Sequence, residues 1–385
     1  MLTITTTDGL RAFVERARNA PYVTVDTEFL RERTYYSKLC LVQVAIPGDD
    51  EESAALIDPL AKGMEIAPLY DLFRDESVVK VFHAARQDLE IFWFDGEVIP
   101  APFFDTQVAA MVAGFGEQVG YETLVRKIAN ASLDKSSRFT DWSRRPLTDA
   151  QKTYAIADVT HLRVIYEHLS KALEKSGRRG WVEEEVAILT DPETYIIRPE
   201  EAWRRVKTRT HSGRFLALVK ELAEFRERYA QTRDIPRNRV FKDDALLEMA
   251  STKPGSAADL GRSRLLLREA RRGEIADGIL AAVEAGLEMP SSEQPRPDRS
   301  RERLQVNPAL ADLLRVLLKA RSEEMGVAQK LIASAAELDE IAAGERGPAP
   351  LKGWRREVFG ADAERLCRGE IALRAKGQSV EVVAI

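Results

Sequence analysis

The sequence predicts an α/β fold, with a mixed sheet flanked by helices, followed by two small all-α helical domains. Three observations predict it. Short apolar or alternating segments typical of strands dominate the first 82 residues and then alternate with helical segments. From Asp105 onward the apolar residues recur at helical spacing. A polar, proline-rich stretch over residues 289–303 then separates two helical regions of similar size.

The strands are recognisable from β-branched and apolar runs bounded by turn residues. The second of them, residues 22–30, combines β-branched and aromatic residues directly after Pro21. The segment 39–46 is almost entirely apolar and is therefore predicted to be a central strand. Thr148 is placed to cap a long helix that begins at Asp149.

Proline-containing connectors and changes of period divide the chain into five segments. The predicted segments are an α/β domain (1–195), a first helical domain (196–288), a linker (289–303), a second helical domain (304–376) and a tail (377–385).

Composition describes a globular protein, since 44% of the residues are hydrophobic and 31% are charged. No apolar run is long enough to span a membrane, and the N-terminus lacks the basic and apolar segments of a signal peptide. Two distant cysteines, Cys40 and Cys367, cannot supply a disulfide framework or a cysteine zinc site. We therefore expect a cytoplasmic protein without a membrane partner, and a monomer.

The net charge of −5 conceals an asymmetry along the chain. Residues 1–120 contain 20 Asp or Glu and 10 Lys or Arg, whereas residues 198–242 contain 13 Lys or Arg and 6 Asp or Glu. An acidic region that can hold metal thus precedes a basic region that can hold phosphate. A solvated, salt-bridged helix surface explains the basic region equally well.

Two carboxylates, Asp26 and Glu28, lie two residues apart in the strand 22–30. Side chains alternate along a strand, so both project from the same face. Their mutual repulsion favours a bound cation, although Asp-x-Glu alone is also typical of a strand face that meets water.

Three further residues complete a candidate constellation. Asp88 lies in the first turn of a predicted helix, where a carboxylate can also serve only as a partner of the helix dipole. Tyr154 and Asp158 are four residues apart and share one helix face. Oxygen ligands from several elements suit Mg²⁺ or Mn²⁺, whereas zinc would require His or Cys.

Asp26-Thr27-Glu28, Asp88 and Tyr154…Asp158 occur in the order and spacing of the three motifs of DEDD exonucleases of the tyrosine subclass. Flanking words resemble the ribonuclease D family, and the regions after residue 195 resemble its paired HRDC domains. Those words are Thr34-Tyr35-Tyr36, Leu39-Cys40-Leu41-Val42-Gln43, Phe104-Asp105-Thr106-Gln107 and Asp141-Trp142-Ser143-Arg144-Arg145-Pro146-Leu147.

The resemblance implies a ribonuclease-H-like fold and hydrolysis with two divalent ions, Mg²⁺ or Mn²⁺. It implies that Asp26 bridges both ions and that Glu28 and Asp158 hold the ion that activates water. Asp88 then supports the second ion, and Tyr154 orients the attacking water.

Further side chains are candidates for substrate contact. Phe29 and Leu30 follow the Asp26 strand, and each has core packing as the alternative. The remaining polar and basic candidates, for which strand or surface pairing is the alternative, are Gln43, Arg86, Arg138, Lys207, Arg209, Arg214, Arg226 and Arg228. His83 has no His or Cys partner at ligand spacing and is expected to pack structurally.

The implied function is a metal-dependent 3′–5′ exoribonuclease that trims the 3′ ends of precursor tRNAs and other small structured RNAs, releasing 5′-mononucleotides. A 3′–5′ DNA exonuclease is an alternative, because the same motifs serve proofreading and helicase-linked domains. A catalytically idle RNA-binding adaptor is another, but it has no need for all five residues of the constellation.

Overall fold

The structure is a computed structural model that describes residues 1–134, 137, 140–210, 212–296 and 304–385. These form two compact units. The first comprises Met1–Glu28, Leu41–Asp191 and Ser300–Ile385. The second comprises Phe29–Cys40 and Pro192–Arg299.

A six-stranded mixed sheet organises the first unit, with the strand order β1-β4-β3-β2-β5-β6. β1 is parallel to β4, β3 is antiparallel to β4, and β5 is parallel to both β2 and β6. The strands are β1 (Leu2–Ile4), β2 (Tyr22–Leu30), β3 (Lys38–Ala45), β4 (Ala54–Ile57), β5 (Val79–Phe82) and β6 (Phe103–Asp105). The predicted α/β fold with a mixed sheet is confirmed.

Several α-helices follow or flank these strands. They are α1 (Thr7–Ala17), α2 (Ala67–Arg74), α3 (Arg86–Gly96), α4 (Thr106–Val112), α5 (Tyr121–Leu124), α6 (Asp149–Ser176) and α7 (Arg179–Thr190). The long helix α6 begins with a capping box, in which the Thr148 side chain accepts from the Gln151 backbone N–H and Gln151 returns the bond. The predicted cap at Thr148 is therefore confirmed.

Aromatic side chains form much of the core next to α2 and α3. Phe73 and Phe92 lie 4.8 Å apart between ring centroids, and Phe82 of β5 packs edge-on against Phe73. Since Phe92 and Asp88 are four residues apart on α3, burying the aromatic ring also orients the helix turn that carries Asp88.

The C-terminal helices belong to the first unit, because they pack directly on α7 and α4. Trp354 stacks on Trp181 with 4.7 Å between ring centroids and 15° between planes. Glu185 of α7 accepts a hydrogen bond from Trp354 Nε1 at 2.8 Å. It also forms an ion pair with Arg355 at 2.6 Å. These helices are α13 (Pro308–Met325), α14 (Gln329–Ile332), α15 (Ala335–Ala342), α16 (Gly353–Arg355) and α17 (Ala361–Cys367).

A β-hairpin ends the chain, where the sequence analysis expected a helical domain reaching 376 and then a tail. β7 (Ile371–Lys376) and β8 (Ser379–Ala384) pair antiparallel. Alternation in Ser-Val-Glu-Val-Val is a strand pattern, and Glu381 pairs across the turn with Arg374 and Lys376. Each strand is only 6 residues long, so the alternation gives little periodic signal. The helical prediction therefore extended too far, to residue 376.

The second unit is built around one long helix that packs against its neighbours through small and aliphatic residues. Its helices are α8 (Gly213–Arg233), α9 (Arg237–Val240), α10 (Asp243–Thr252), α11 (Ala257–Arg262) and α12 (Glu274–Glu288). Gly286 of α12 lies against the Leu218 backbone, where an added Cβ would come within 2.9 Å of Leu218 Cα. The segment 29–40 joins this unit through Asp234, which accepts hydrogen bonds from the backbone N–H groups of Tyr35 and Tyr36 at 3.0 Å each.

The predicted division into five segments stays a prediction. Along the described part of the chain, no helix combines the length and apolar character that crossing a membrane requires.

Lys80, in the middle of β5, is fully buried, and its ammonium donates to the backbone carbonyls of Asp75 and Ala101. Burial lowers the pKa of Lys80 to about 8 from an ordinary value of 10.5. Between these two pH values the unfolded chain binds more protons than the folded chain, so the Lys80 contribution to stability rises with pH.

We therefore predict that Lys80→Met removes a pH-dependent part of the unfolding free energy. Wild type should gain stability relative to Lys80→Met as the pH rises from about 8 to 10.5. Denaturant unfolding of both proteins across this pH range measures the difference in their unfolding free energies. Tyrosine titration affects both proteins equally and therefore cancels in this difference. Parallel stability curves would contradict the prediction.

Candidate active site

The site is built where β2 meets α6. Thr24 Oγ1 of β2 donates a hydrogen bond to the Val159 carbonyl of α6 at 2.8 Å. Asp26 and Glu28 follow Thr24 at strand spacing and therefore project from the face that meets α6. Asp158, next to Val159 on α6, is thereby brought to the same place.

Three carboxylates converge there, since ligand oxygens of Asp26, Glu28 and Asp158 lie within 4.8 Å of one another. Burial raises the pKa of Asp26 well above its usual range, and the charges of Asp158, Asp88 and Glu28 raise it further. Like charges this close and this buried are stable together only with a proton or a cation among them. The donor set is all oxygen, which fits a hard divalent cation such as Mg²⁺ or Mn²⁺.

Asp88 approaches the same site from the first turn of α3. It is buried, and Thr27 Oγ1 of β2 donates a short hydrogen bond to its Oδ1. Burial raises the pKa of Asp88 to about 7, while the Thr27 hydrogen bond favours the ionised form. Thr27 lies between Asp26 and Glu28 in sequence. Its hydrogen bond therefore links the strand β2, which carries these two carboxylates, to the helix α3, which carries Asp88.

Asp105 positions the segment that leads to Asp88, a role that the sequence analysis did not assign. Its buried carboxylate accepts from the backbone N–H groups of Ala84 at 3.1 Å and Ala85 at 3.0 Å. It also caps α4 by accepting from Gln107 N–H at 2.7 Å. Ala84 has φ of 59°, an unfavourable value for alanine that these bonds help to hold. In the sequence, Phe104-Asp105-Thr106-Gln107 was only one of the segments that resemble the ribonuclease D family.

Tyr154 lies one turn before Asp158 on α6, and both line a cavity of about 280 Å³ with Asp26 and Tyr121. Trp142 packs beside Tyr154 with 6.1 Å between ring centroids. The loop that carries Trp142 is fixed by Arg145, which makes two 2.6 Å bonds to the buried carboxylate of Asp58. The sequence offered Arg145 and Asp58 only as parts of separate segments, so their pairing was missed.

His83 also lines this cavity, although the sequence analysis expected only a packing role. Its Nδ1 is 3.0 Å from Thr106 Oγ1, and its ring lies 5.5 Å from the Tyr121 ring. Burial lowers the pKa of His83, so the imidazole is uncharged at neutral pH.

Two candidates for substrate contact are buried in this structure. Arg226 is 5% exposed, pairs with Asp243 at 2.7 Å and stacks its guanidinium on Phe241. It belongs to the core of the second unit, because its position on α8 faces α10. Gln43 is fully buried on β3, where its strand neighbour Ala45 packs against Val159 of α6. Its side chain is out of reach of solvent in this structure.

The other candidates remain predictions. Phe29 and Leu30 are half-buried at the end of β2. The basic candidates that are exposed are Arg86, Lys207, Arg209, Arg214 and Arg228. Arg138 lies outside the described residues.

Removing the hydroxyl that holds Asp88 tests the link between β2 and α3. We predict that Thr27→Val weakens binding of Mn²⁺ by about 10–100-fold, the usual effect of losing a hydrogen bond to a metal-binding group. Calorimetric titration of the metal-free protein with Mn²⁺ measures this directly. Thr252→Val is the matched control, because Thr252 Oγ1 donates to the Glu248 carbonyl of its own helix α10 at 2.9 Å, away from the acids of the site. Unchanged affinity in Thr27→Val would remove Asp88 from the metal site.

Comparison with known proteins shows the family of the chain. Residues 1–174 match the 3′-5′ exonuclease family model, and residues 215–283 match the HRDC domain model. Ribonuclease D of Jannaschia sp. (strain CCS1) is 64% identical over 383 residues, spanning 100% of this chain and 99% of that protein. Ribonuclease D of Gluconacetobacter diazotrophicus is 48% identical, with 98% of this chain and 95% of that protein covered.

A solved structure shares the fold over nearly the whole chain. The crystal structure of Escherichia coli RNase D, described as an exoribonuclease involved in structured RNA processing, has a TM-score of 0.82 and 32% identity. The match covers 95% of this chain and 98% of that one. By its sequence, its exonuclease and HRDC matches and its fold, the chain belongs to the ribonuclease D family of 3′–5′ exoribonucleases.

Proposed function

We propose that this exoribonuclease trims the 3′ ends of precursor tRNAs and other small structured RNAs, releasing 5′-mononucleotides. The observation that carries the catalytic part is the convergence of Asp26, Glu28 and Asp158 within 4.8 Å, with buried Asp88 tied to them through Thr27. The substrate part is supported by the description of the E. coli relative, which processes structured RNA.

We assign Asp26, Glu28, Asp88 and Asp158 as ligands of two divalent ions, Mg²⁺ or Mn²⁺. When bound, such ions lower the pKa of water and neutralise charge on the leaving oxygen. Tyr154 then holds the attacking water, because its hydroxyl can both donate and accept a hydrogen bond. Trp142 and the Arg145–Asp58 pair keep the Tyr154 ring in place beside Asp158.

We further infer that the second unit binds the body of a structured RNA. Lys207, Arg209 and Arg214 are exposed and lie close together in sequence, directly before or at the start of α8. Arg226, which is buried, takes no part. We further propose that the protein acts as a monomer in the cytoplasm, where its free Cys40 and Cys367 stay reduced.

The catalytic assignment predicts the behaviour of four acid variants. Asp26→Asn, Glu28→Gln, Asp88→Asn and Asp158→Asn should each lower kcat on single-stranded RNA by at least about 1,000-fold, because the ligands act as one unit. Each variant should keep its fold, and loss of charge repulsion should raise the melting temperature of the metal-free protein. The measurement is release of mononucleotides from end-labelled RNA with Mg²⁺ or Mn²⁺.

Tyr154→Phe refines this test, since it removes only the hydroxyl. It should be slower than wild type and faster than Tyr154→Ala, which also leaves a gap beside Trp142. Near-normal rates in any acid variant at saturating metal would refute the ligand set. Parallel assays on DNA strands distinguish an exoribonuclease from a DNA exonuclease.

The substrate assignment predicts a salt-dependent contribution from the second unit. The triple variant Lys207→Glu, Arg209→Glu, Arg214→Glu should bind precursor tRNA more weakly, with the slope of log affinity against log salt reduced by roughly 0.7–0.9 per lost phosphate contact. Binding is measured with chelator present, to prevent cleavage.

The matched control is Lys62→Glu, Lys171→Glu, Lys175→Glu, which makes the same charge change on exposed lysines of the first unit. Equal losses in the two triple variants would show that only overall charge matters. Full-length protein is needed, because a fragment ending near residue 195 would uncover Trp181 and Glu185.

A further inference from the structure

A second, larger cavity of about 770 Å³ lies within the first unit, between the exonuclease part and the C-terminal helices. We call it the seam cavity. One wall consists of residues from the loop before α3, from α4 and from α7, and the other of residues from α13 to α15. Its volume is in the range of about 300–1,000 Å³ that is typical of ligand-binding clefts.

The two walls are held in place by direct contacts. The Trp181–Trp354 stack and the Glu185–Arg355 ion pair join α7 to α16. At the other side, Ala328 N–H donates to the Met111 carbonyl at 3.1 Å. The seam cavity is therefore a preformed cleft.

Its lining combines apolar surface with cations on both walls. Met111, Ile188 and Leu331 supply apolar surface, and Ile188 is 66% exposed. Arg86 on one wall and Lys319 on the other are exposed, and among the described residues neither has a hydrogen-bond or ion-pair partner.

The other basic side chains of the lining are already paired. Lys330 meets Glu117 at 3.2 Å, and Arg315 meets Asp339 at 2.9 Å. The lining thus fits a ligand with flat apolar faces and more than one negative charge, which describes consecutive nucleotides of a single strand.

The seam cavity and the catalytic cavity share a dividing wall. His83 lines the catalytic cavity, whereas Ala84 and Arg86 line the seam cavity, and Asp105 fixes the loop between them. Arg86 is also only two residues from Asp88 on α3. In a 3′–5′ exonuclease the terminal nucleotide occupies the catalytic cavity, so any strand outside it is the 5′ continuation.

We propose that the seam cavity holds unpaired nucleotides 5′ of the one being removed, with Arg86 and Lys319 contacting successive phosphates. This rests on the proposed function, and it makes the C-terminal helices part of the substrate-binding surface. A strand is favoured over a released mononucleotide, because two unpaired cations on opposite walls suit a continuous polyanion better than one phosphate group.

The test is a charge reversal on the wall that lies farther from the metal ligands in sequence. Lys319→Glu is compared with Lys171→Glu, an exposed lysine of α6 outside the cavity lining. For a single-stranded dodecanucleotide, Lys319→Glu should raise KM roughly tenfold, leave kcat near wild type and lower the salt slope by about 0.7. For a dinucleotide, the two variants should behave alike.

Equal KM values for Lys319→Glu and Lys171→Glu on the dodecanucleotide would overturn the proposal. A similar loss on the dinucleotide would also overturn it, because the variant would then disturb the catalytic cavity itself. Protection of the seam cavity by 5′-AMP alone, with no effect of Lys319→Glu on strands, would identify a mononucleotide site instead.

Photocrosslinking gives a readout that does not depend on hydrolysis. RNA with 4-thiouridine at successive positions is bound in chelator, and crosslinked peptides are mapped. Internal positions should crosslink to residues 185–189 or 329–338, and crosslinks confined to other surfaces would refute the assignment. If wild type hydrolysed no RNA at all, the proposed function would fail, while crosslinking would still report on this cavity.

Discussion

Repulsion among closely spaced, half-buried or buried carboxylates is the constraint on which the architecture of the first unit depends. Asp26 is crowded by Asp158, Asp88 and Glu28, and its raised pKa shows that the folded chain disfavours leaving all four ionised without a cation. Holding them together requires rigid supports, which are the β2–α6 contact through Thr24 and the Thr27–Asp88 hydrogen bond. The hydroxyl groups of Thr24 and Thr27 thus help to hold the carboxylates close enough together to favour a bound cation.

The supports of the site extend outward through other buried charges. Asp105 fixes the loop before Asp88 by accepting from backbone N–H groups, and Asp58 fixes the Trp142 loop through Arg145. Both carboxylates are buried and already accept hydrogen bonds, Asp105 from backbone N–H groups and Asp58 from the Arg145 guanidinium, so they hold loops in place rather than bind metal. This division explains why only some of the acids near the site are candidates for ligands.

The C-terminal helices have a closer relation to the exonuclease part than their distance in sequence suggests. Trp354 and Arg355 pack on Trp181 and Glu185, and the desolvation of Glu185 that raises its pKa is offset by these two partners. As a consequence, the cleft between the two parts is a fixed feature, and Arg86 and Lys319 line the same cleft although they are more than 200 positions apart in sequence.

The sequence by itself determined the mixed sheet, the helical regions and the cap at Thr148, because these depend on local periodicity and on spacing within single elements. The set of acids was proposed from the resemblance of three separate segments to the motifs of a family. Alternation in β2 and the four-residue spacing in α6 are enough to place Asp26 with Glu28 and Tyr154 with Asp158. The short hairpin at the C-terminus was missed, since two brief strands leave little periodic signal.

Only the tertiary structure decided which charges are buried and which are exposed. Arg226 and Arg228 are two residues apart on α8, yet one lies in the core against Phe241 and the other on the surface. Likewise, Asp105 holding Ala84, Arg145 pairing with Asp58 and the packing of Trp354 on Trp181 join distant segments. Such pairings depend on how elements pack in three dimensions, which a single sequence does not encode in any local pattern.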